Sequence, residues 1–352
     1  MERSDAERPN LTPGPVSDAA RLPGERTLIE HIRRRLPPAP ASMVVGPGDD
    51  AAVVTPARGA LQVLTTDAVV ENVHFDRRFS SLADIGYKAL AVNVSDLAAM
   101  GARPEFALLS FILPDTLTAV DVDALLDGLL EIASAAGVSI AGGNISRSPG
   151  PLIVDVTAIG SVRPRRVLTR GGGRAGDALY VTGSIGAAAA GLEWLRADEN
   201  AATGSDDVLM AACAARHRRP EPRVRIGQLL GRNRAASACM DLSDGLADAV
   251  RQIADASGTG ATIDASALPV DPAAASWFRS QELDPVSAAL AGGDDYELLF
   301  AVPRKFRGRL RHVQQKAHGV TLTHIGELTV DPVCRLARDG SFEELPAGFS
   351  HF

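Results

Sequence analysis

Aspartate stands beside glycine or another small residue at several places along this 352-residue chain. Carboxylate oxygens are preferred ligands of hard cations such as Mg²⁺, and glycine lets a phosphate approach the backbone. Together the segments therefore predict Mg²⁺-dependent chemistry on a phosphate. The segments are GPGDD (46–50), TTD (65–67), NVSD (93–96), GGN (142–144), in which asparagine replaces the acid, DLSDG (241–245) and GGDD (292–295).

Each segment alone has a simpler interpretation. Aspartate is favoured at helix N-termini, which would explain Asp241 and Asp244, and an isolated GGDD or GPGDD is more often a turn. Two acids three residues apart, with Ser243 between them, exceed what one cap needs and favour a metal-bound phosphate at the helix N-terminus. For His74 in ENVHF, a structural role and a substrate contact remain equally open.

Composition narrows the class of protein. A net charge of -7 and a pI near 5.6 disfavour nucleic acid as the main partner, because such surfaces need clustered positive charge. No apolar run approaches the roughly 18 residues of a membrane helix. Cys213, Cys239 and Cys334 lack CxxC spacing, which favours buried free thiols over zinc or disulfides. We expect a cytoplasmic protein whose polar, proline-rich residues 1–24 form a disordered leader.

The first elements are predicted from apolar spacing and from stop signals. Residues 25–35 form a helix that the prolines at 37 and 38 end. Residues 61–65 form a strand that delivers Thr66 and Asp67 to its carboxyl end, where open α/β sheets bind ligands. Asp84 is the predicted N-cap of a helix that ends before Gly101 and places Asp96 on its inner face.

Further along, the pattern repeats strand, loop and helix. A domain boundary is predicted near residue 165, in a segment rich in arginine, glycine and proline. The glycines of GGGRAG (171–176) fit GxGxxG but precede a strand, so the dinucleotide fingerprint lacks its context. The remaining predicted elements are a helix over 119–136, strands over 152–159, 177–182 and 237–240, a helix that begins at DLSDG, a connection over 264–280, and a strand after GGDD.

Eight segments, in order, resemble the thiamine-monophosphate kinase family of aminoimidazole ribonucleotide synthetase-like enzymes. The resemblance covers nearly everything after about residue 25. It implies an α/β (α+β) fold with an N-terminal ATP/Mg-binding and dimerisation domain (25–165), whose sheet forms the interface of a homodimer, and a C-terminal α/β domain (166–352) that completes the ATP and substrate sites. The segments are GPGDDAAVV, TTDAVVENVHF, DIGYKALAVNVSDLAAMGARP, AGGNISR, RVLTR with GDALYVTG, DLSDGL, GGDDYELLF and GFSHF.

The resemblance also implies roles for individual residues. The implied ligands of several Mg²⁺ ions are Asp50, Thr65, Thr66, Asp67, Asp96, Asn144, Asp241 and Asp244. The implied ATP contacts are Gly143, Asn144, Arg170 and Ser243, and the implied thiamine monophosphate contacts are His74, Asp294 and Phe349. Two positions depart from the family: Asn144 replaces a common aspartate and loses a charge, and Asp294 replaces a glutamate of some relatives and is one methylene shorter.

The implied reaction is direct transfer of the γ-phosphoryl group of ATP to thiamine monophosphate, the last step in making thiamine diphosphate. The acceptor phosphate has a second pKa of about 6 and is mainly dianionic at neutral pH, so no general base is required. The difficulty is to bring two polyanions into line, which bound metal ions would solve by positioning and charge neutralisation.

Alternatives within the superfamily are distinguished by cysteines. A selenophosphate synthetase-like enzyme would need a reactive cysteine near its N-terminal glycine-rich segment, and a hydrogenase-maturation relative would need one at its C-terminus. Here the first cysteine is Cys213 and the chain ends at Phe352, which disfavours both. A ribonucleotide synthetase acting on an amide, and a non-catalytic Mg²⁺-nucleotide sensor with Asn144 in a decayed metal site, remain open.

Overall fold

The computed structural model describes residues 22–197 and 207–348. Phe349 and most of the predicted leader lie outside the described residues. Within those two ranges, no helix is both long enough and apolar enough to cross a membrane.

The N-terminal half is a four-stranded sheet with two helices on one face. The strand order is β3-β6-β4-β5, in which β4 and β5 are parallel and the other neighbours antiparallel. The core forms where the inward side chains of these strands meet α2 and α3. The elements are α1 (Glu25–Arg35), β1 (Met43–Val45), β2 (Val53–Val54), β3 (Leu61–Val70), α2 (Leu82–Ala99), β4 (Arg103–Pro114), α3 (Ala119–Ala136), β5 (Ser139–Ser148) and β6 (Ile153–Val162).

The two helices approach each other closely at a pair of glycines. A Cβ on Gly128 would lie 1.7 Å from the backbone oxygen of Ala83, and a Cβ on Gly86 would lie 1.9 Å from that of Leu125. Neither position has room for a side chain, so the backbones pack directly against each other. This contact fixes the position of α2, which carries Asp96, against α3.

Replacing Gly128 with alanine is expected to separate α2 from α3 and to destabilise the protein by roughly 1–3 kcal/mol. Chemical denaturation of wild type and variant measures the change. Gly308→Ala is the matched control, because nothing lies within 4 Å of an added Cβ there and alanine favours the helix. Equal midpoints for Gly128→Ala and wild type would refute the packing argument.

The C-terminal half is built on a seven-stranded sheet of order β13-β12-β9-β11-β7-β10-β8. Only β9 and β12 are parallel neighbours. The elements are β7 (Ala178–Thr182), α4 (Ala187–Ala197), α5 (Val208–Arg218), α6 (Val224–Asn233), β8 (Ala238–Asp241), α7 (Leu246–Ser257), β9 (Gly260–Asp264), α8 (Pro272–Ser280), α9 (Pro285–Ala291), β10 (Leu298–Val302), α10 (Arg307–Gln315), β11 (Leu322–Thr329), β12 (Cys334–Arg338) and β13 (Ser341–Glu344), with short 3₁₀ turns at Ala265–Ala267 and Arg304–Phe306.

Helix α2 joins the two halves. Its residue Ala99 lies in a core cluster with Leu168 and Ile226 of the C-terminal half. A Cβ on Gly227 of α6 would lie 1.9 Å from the backbone oxygen of Ala98. Because α2 packs against both halves, polar side chains along it lie at the interface between the halves.

The two-domain α/β fold is confirmed, and so are the helices over 25–35 and 119–136. The prediction that β3 ends at residue 65 is wrong, since it continues to Val70. Thr66 and Asp67 therefore lie within the strand, in a mostly antiparallel sheet. The prediction that Asp84 is the N-cap of α2 is wrong too: Ser81 is the N-cap, and Asp84 is the third helical residue, completing a capping box. Residues 264–280, predicted as a connection, contain α8.

Candidate active site

A cleft of about 690 Å³ lies between the two halves. Residues of β3 and of the segment after it form one wall, α2 forms the floor, and the ends of β8 and the GGDD segment form the opposite wall. Six of the residues that line it were implied by the resemblance as ligands or ATP contacts, and two as substrate contacts. These eight are Asp67, Asp96, Arg170, Asp241, Ser243, Asp244, His74 and Asp294.

Three carboxylates from different elements meet in this cleft. Asp67 projects from β3 on the helix side of the sheet, Asp96 from α2, and Asp241 from the last position of β8. The hydroxyl of Thr65 donates to Asp96 Oδ2. Ser95 Oγ donates to Asp241 Oδ2 at 2.6 Å, so a residue of α2 positions an acid from the C-terminal half beside Asp96.

The pKa values of these three acids reflect their proximity. Although Asp67 is partly exposed to the cleft, desolvation by the surrounding protein, followed by the charge of Asp96, raises its pKa to about 6. Burial and the charge of Asp96 likewise raise the pKa of Asp241 to about 7. Burial also raises the pKa of Asp96, although the Thr65 hydroxyl and the charge of Arg170 act in the opposite direction. Carboxylates whose pKa values are raised in this way fit a site that gains stability from a cation.

The cluster suits a metal that shares its ligands with a phosphate. Among the side chains that the structure describes, no three of His, Cys, Asp or Glu are grouped so as to hold an ion by themselves. Mg²⁺ usually binds one or two carboxylates and completes its octahedron with substrate phosphates and water. The acids at the cleft therefore fit Mg²⁺ that arrives with a nucleotide better than a metal bound by protein alone.

Without divalent cations, Asp67→Asn is expected to raise the melting temperature by about 2–4 °C at pH 8 and by about half as much at pH 5. Folding raises the pKa of Asp67, so the folded protein holds a proton between about pH 4 and 6 that the unfolded chain releases. The stability from that proton is lost as pH rises through 6, and asparagine removes the resulting repulsion. Calorimetry at both pH values tests this. Asp339→Asn, in an exposed turn, is the control, and the same shift for Asp67→Asn at both pH values would contradict it.

The DLSDG segment forms the second wall above helix α7. The helix begins after Gly245, whose φ of 99° only glycine adopts readily, and no side chain caps it. Asp241 lies in the strand and Asp244 precedes the cap, so the simpler interpretation of both acids as helix caps is not supported. Asp294 N donates to the carbonyl oxygen of Ser243 at 2.8 Å, which joins this segment to GGDD.

The implied substrate contacts lie at the other end of the cleft. His74 Nδ1 accepts a hydrogen bond from the backbone N of Val70 at 3.1 Å. Asp294 has a φ of 66°, and its Oδ2 lies 3.0 Å from Lys88 Nζ and 3.1 Å from His217 Nδ1. Burial would raise the pKa of Asp294, but Lys88 and His217 outweigh burial and hold it well below its usual range. The carboxylate therefore stays charged.

The structure places four implied residues away from the cleft. Thr66 projects from the opposite face of the sheet, where its hydroxyl lies 3.2 Å from Asp155 Oδ1. Asn144 shares that face, on the edge strand β5, and its Nδ2 donates to Ser146 Oγ at 3.0 Å. Asp50 is exposed in the β1–β2 connection. At Gly143 a Cβ would lie 1.9 Å from the backbone oxygen of Leu109, so strand packing alone requires glycine there.

Sequence reasoning missed three residues. Ser95 positions Asp241, and Lys88 and His217 hold Asp294. His217 is 3% exposed. The sequence does indicate two of them, because Lys88 and Ser95 are polar residues in the mostly apolar sequence of α2.

Comparison with known proteins gives a consistent result. Family models described as AIR synthase related protein, N-terminal domain and C-terminal domain, match residues 48–162 and 174–338. The chain is 39% identical over 336 residues to thiamine-monophosphate kinase of Escherichia coli (strain K12), which covers 94% of this chain and 98% of that protein.

Solved structures are similar over nearly the whole chain. The crystal structure of thiamine-monophosphate kinase from Stenotrophomonas maltophilia K279a has a TM-score of 0.78 and 35% identity, and the match covers 92% of this chain and 98% of that chain. AaThiL complexed with AMPPCP and TMP has a TM-score of 0.74 and 30% identity, with 94% and 97% covered.

Proposed function

Because the chain belongs to the AIR synthase related family and, within it, to the thiamine-monophosphate kinases, we propose that it transfers the γ-phosphoryl group of ATP to thiamine monophosphate. The products are thiamine diphosphate and ADP. The observation that carries the proposal is the meeting of Asp67, Asp96 and Asp241 in one cleft, in a chain 39% identical to such a kinase. The complex of the similar AaThiL with AMPPCP and TMP supports the same pair of substrates.

The acids at the cleft have the chemistry that Mg²⁺-ATP requires. We propose that Asp67, Asp96, Asp241 and Asp244 bind Mg²⁺, with Thr65 orienting Asp96. When bound, Mg²⁺ would neutralise phosphate oxygens and align them. Arg170 lines the same cleft and its charge acts on Asp96, which suits a contact with the nucleotide phosphates.

The remaining groups have the task of holding the acceptor. Thiamine monophosphate carries its own nucleophile, a phosphate oxygen that is largely deprotonated at neutral pH. No protein side chain therefore has to remove a proton, and His74 and Asp294 serve to place the acceptor. The transfer is direct, with no phosphorylated residue on the path, because positioning and electrostatics suffice for this chemistry.

The proposed assembly is a homodimer formed through the sheet of the N-terminal half. One face of that sheet is buried by α2 and α3, whereas Leu64 and Leu108 on the other face are 65% and 38% exposed. Thr66 and Asn144 lie on this open face, so a second copy seated there would bring them into a shared environment. The dimer would explain why residues implied in one nucleotide site lie on two faces of the sheet.

We also propose the domain division near residue 165, which falls between the two matched ranges. A cytoplasmic location is proposed because Cys213, Cys239 and Cys334 are free thiols, as is usual in a reducing compartment. The net charge of -7 supports small anions delivered with metal, rather than nucleic acid, as partners.

A panel of acceptors tests the proposed function. The purified protein is incubated with Mg²⁺-ATP and either thiamine monophosphate, unphosphorylated thiamine, or a ribonucleotide amide, and ADP is followed by chromatography. We expect ADP with thiamine monophosphate alone. ADP formed with the amide would favour the ribonucleotide synthetase alternative, and tight ATP binding without turnover of any acceptor would favour a sensor.

A further inference from the structure

Lys88 is one of only three lysines in the chain, and its side chain is 4% exposed. It lies on α2, where most neighbouring positions are apolar and buried. A buried ammonium group is costly unless acceptors compensate it. Lys88 has two: its Nζ donates to the carbonyl oxygen of His74 and to Asp294 Oδ2, each at 3.0 Å.

These two acceptors belong to opposite walls of the cleft. His74 follows β3 in the N-terminal half, and Asp294 precedes β10 in the C-terminal half. One ammonium group therefore ties the two segments that face the acceptor end of the cleft. The charge of Asp294 is already matched by Lys88, so this carboxylate is fixed in place rather than left as a bare anion.

The GGDD segment depends on such ties because its backbone is strained. Asp294 and Tyr296 have φ angles of 66° and 49°, which non-glycine residues adopt only when their surroundings impose them. Asp294 is held by its backbone N to Ser243, by Lys88 and by His217. Of these partners, Lys88 also holds the His74 segment, through its hydrogen bond to the His74 carbonyl oxygen.

Lys88 could instead bind a substrate phosphate, as lysines in kinases often do. The geometry of Lys88 favours a structural tie between the His74 and Asp294 segments over phosphate binding. The ammonium group is almost fully buried, and two of its three donors are directed to protein oxygens that fix its position. Lys88 lines the cleft, but a phosphate could use only its third donor unless the ammonium group abandoned Asp294 or the His74 carbonyl oxygen.

We propose that Lys88 is a positioning residue that sets the spacing of the His74 and Asp294 segments and so determines the affinity for the phosphate acceptor. This inference rests on the proposed kinase function. It assigns the acceptor affinity to a residue that need not touch the acceptor.

The test is the kinetics of Lys88→Met, which keeps the length and apolar stem of the side chain and removes its donors. We expect KM for thiamine monophosphate to rise about 10- to 100-fold, because small misplacements of binding groups have effects of this size. KM for ATP should change less than about 2-fold, since the acids that face the nucleotide are held by Thr65 and Ser95. Lys305→Met, at an exposed lysine, is the matched control and should change neither constant.

A double-mutant cycle shows whether Lys88 acts through Asp294. Asp294→Asn and Lys88→Met are measured separately and together, and we expect the KM of the double variant to be no higher than that of the worse single variant. Fully additive effects would overturn the proposal. Should Lys88→Met fail to fold, the double variant, which removes both charges, supplies the comparison with Asp294→Asn.

The outcomes separate this inference from the proposed function. If wild type forms no thiamine diphosphate, both fail. If wild type is active and Lys88→Met has an unchanged KM for thiamine monophosphate, only the role of Lys88 is overturned. Equal increases in both KM values would show general loosening of the cleft and would overturn it as well.

Discussion

Asp96→Asn is expected to lower the turnover number for thiamine diphosphate formation by at least about 10²-fold, the scale seen when one preorganised electrostatic group is lost. Asp96 is central to the acid cluster. It accepts a hydrogen bond from the Thr65 hydroxyl, and its charge raises the pKa of both Asp67 and Asp241. Asparagine keeps the shape of the side chain and one oxygen but removes the charge that would bind Mg²⁺. Steady-state assays at saturating ATP and acceptor measure the loss.

The same chemical change at a remote position is the control for Asp96→Asn. Asp339→Asn, in the turn between β12 and β13, should leave turnover unchanged. Raising the Mg²⁺ concentration should recover part of the activity of Asp96→Asn, because the defect lies in metal affinity. Turnover within 2-fold of wild type at low Mg²⁺ would show that Asp96 is not a ligand.

Leu64→Arg is expected to convert the proposed dimer to monomers of 36.8 kDa and to lower kcat/KM by at least about 10-fold. Leu64 lies in the middle of β3 and is 65% exposed on the open face of the sheet. In the proposed interface an arginine there would be buried against the second copy, where a desolvated charge without a partner is costly. Activity should fall because Thr66 and Asn144 on that face would no longer lie against a second copy. Analytical ultracentrifugation and the kinase assay follow the two effects.

Val330→Arg is the matched control for Leu64→Arg. Val330 is 86% exposed after β11, remote from the sheet of the N-terminal half. It should change neither mass nor activity. Circular dichroism should be the same for both variants and wild type, since both positions are already exposed. A monomeric wild type, or a dimeric and fully active Leu64→Arg, would contradict the proposed interface.

Local signals predicted the helices well. Apolar spacing and the prolines that follow predicted the bounds of α1. Helix α3 ends at residue 136 as predicted, and Gly137, with a φ of 71°, is its C-cap. These signals depend on neighbouring residues alone. The run of β3 to Val70 was missed because its polar residues Thr65, Thr66 and Asp67 interrupt the apolar pattern, while pairing with β6 sustains the strand.

The site was predicted in part. Motif positions implied Asp67, Asp96, Asp241 and Asp244, and all four line one cleft. The sequence prediction did not show that Thr66 projects from the other face of the sheet, because it ended the strand at residue 65 and so did not extend the alternation of side chains to Thr66. Contacts across the seam, such as Lys88 with Asp294, join residues far apart in the chain and become visible only when the halves are packed.

Single turnover with γ-labelled ATP tests direct phosphoryl transfer most directly. Enzyme in excess is mixed with Mg²⁺, thiamine monophosphate and limiting labelled ATP, then quenched over time. We predict that the label passes to the terminal phosphate of thiamine diphosphate in step with ADP formation, while the protein stays unlabelled. Label released as inorganic phosphate, or found on the protein before thiamine diphosphate appears, would contradict it.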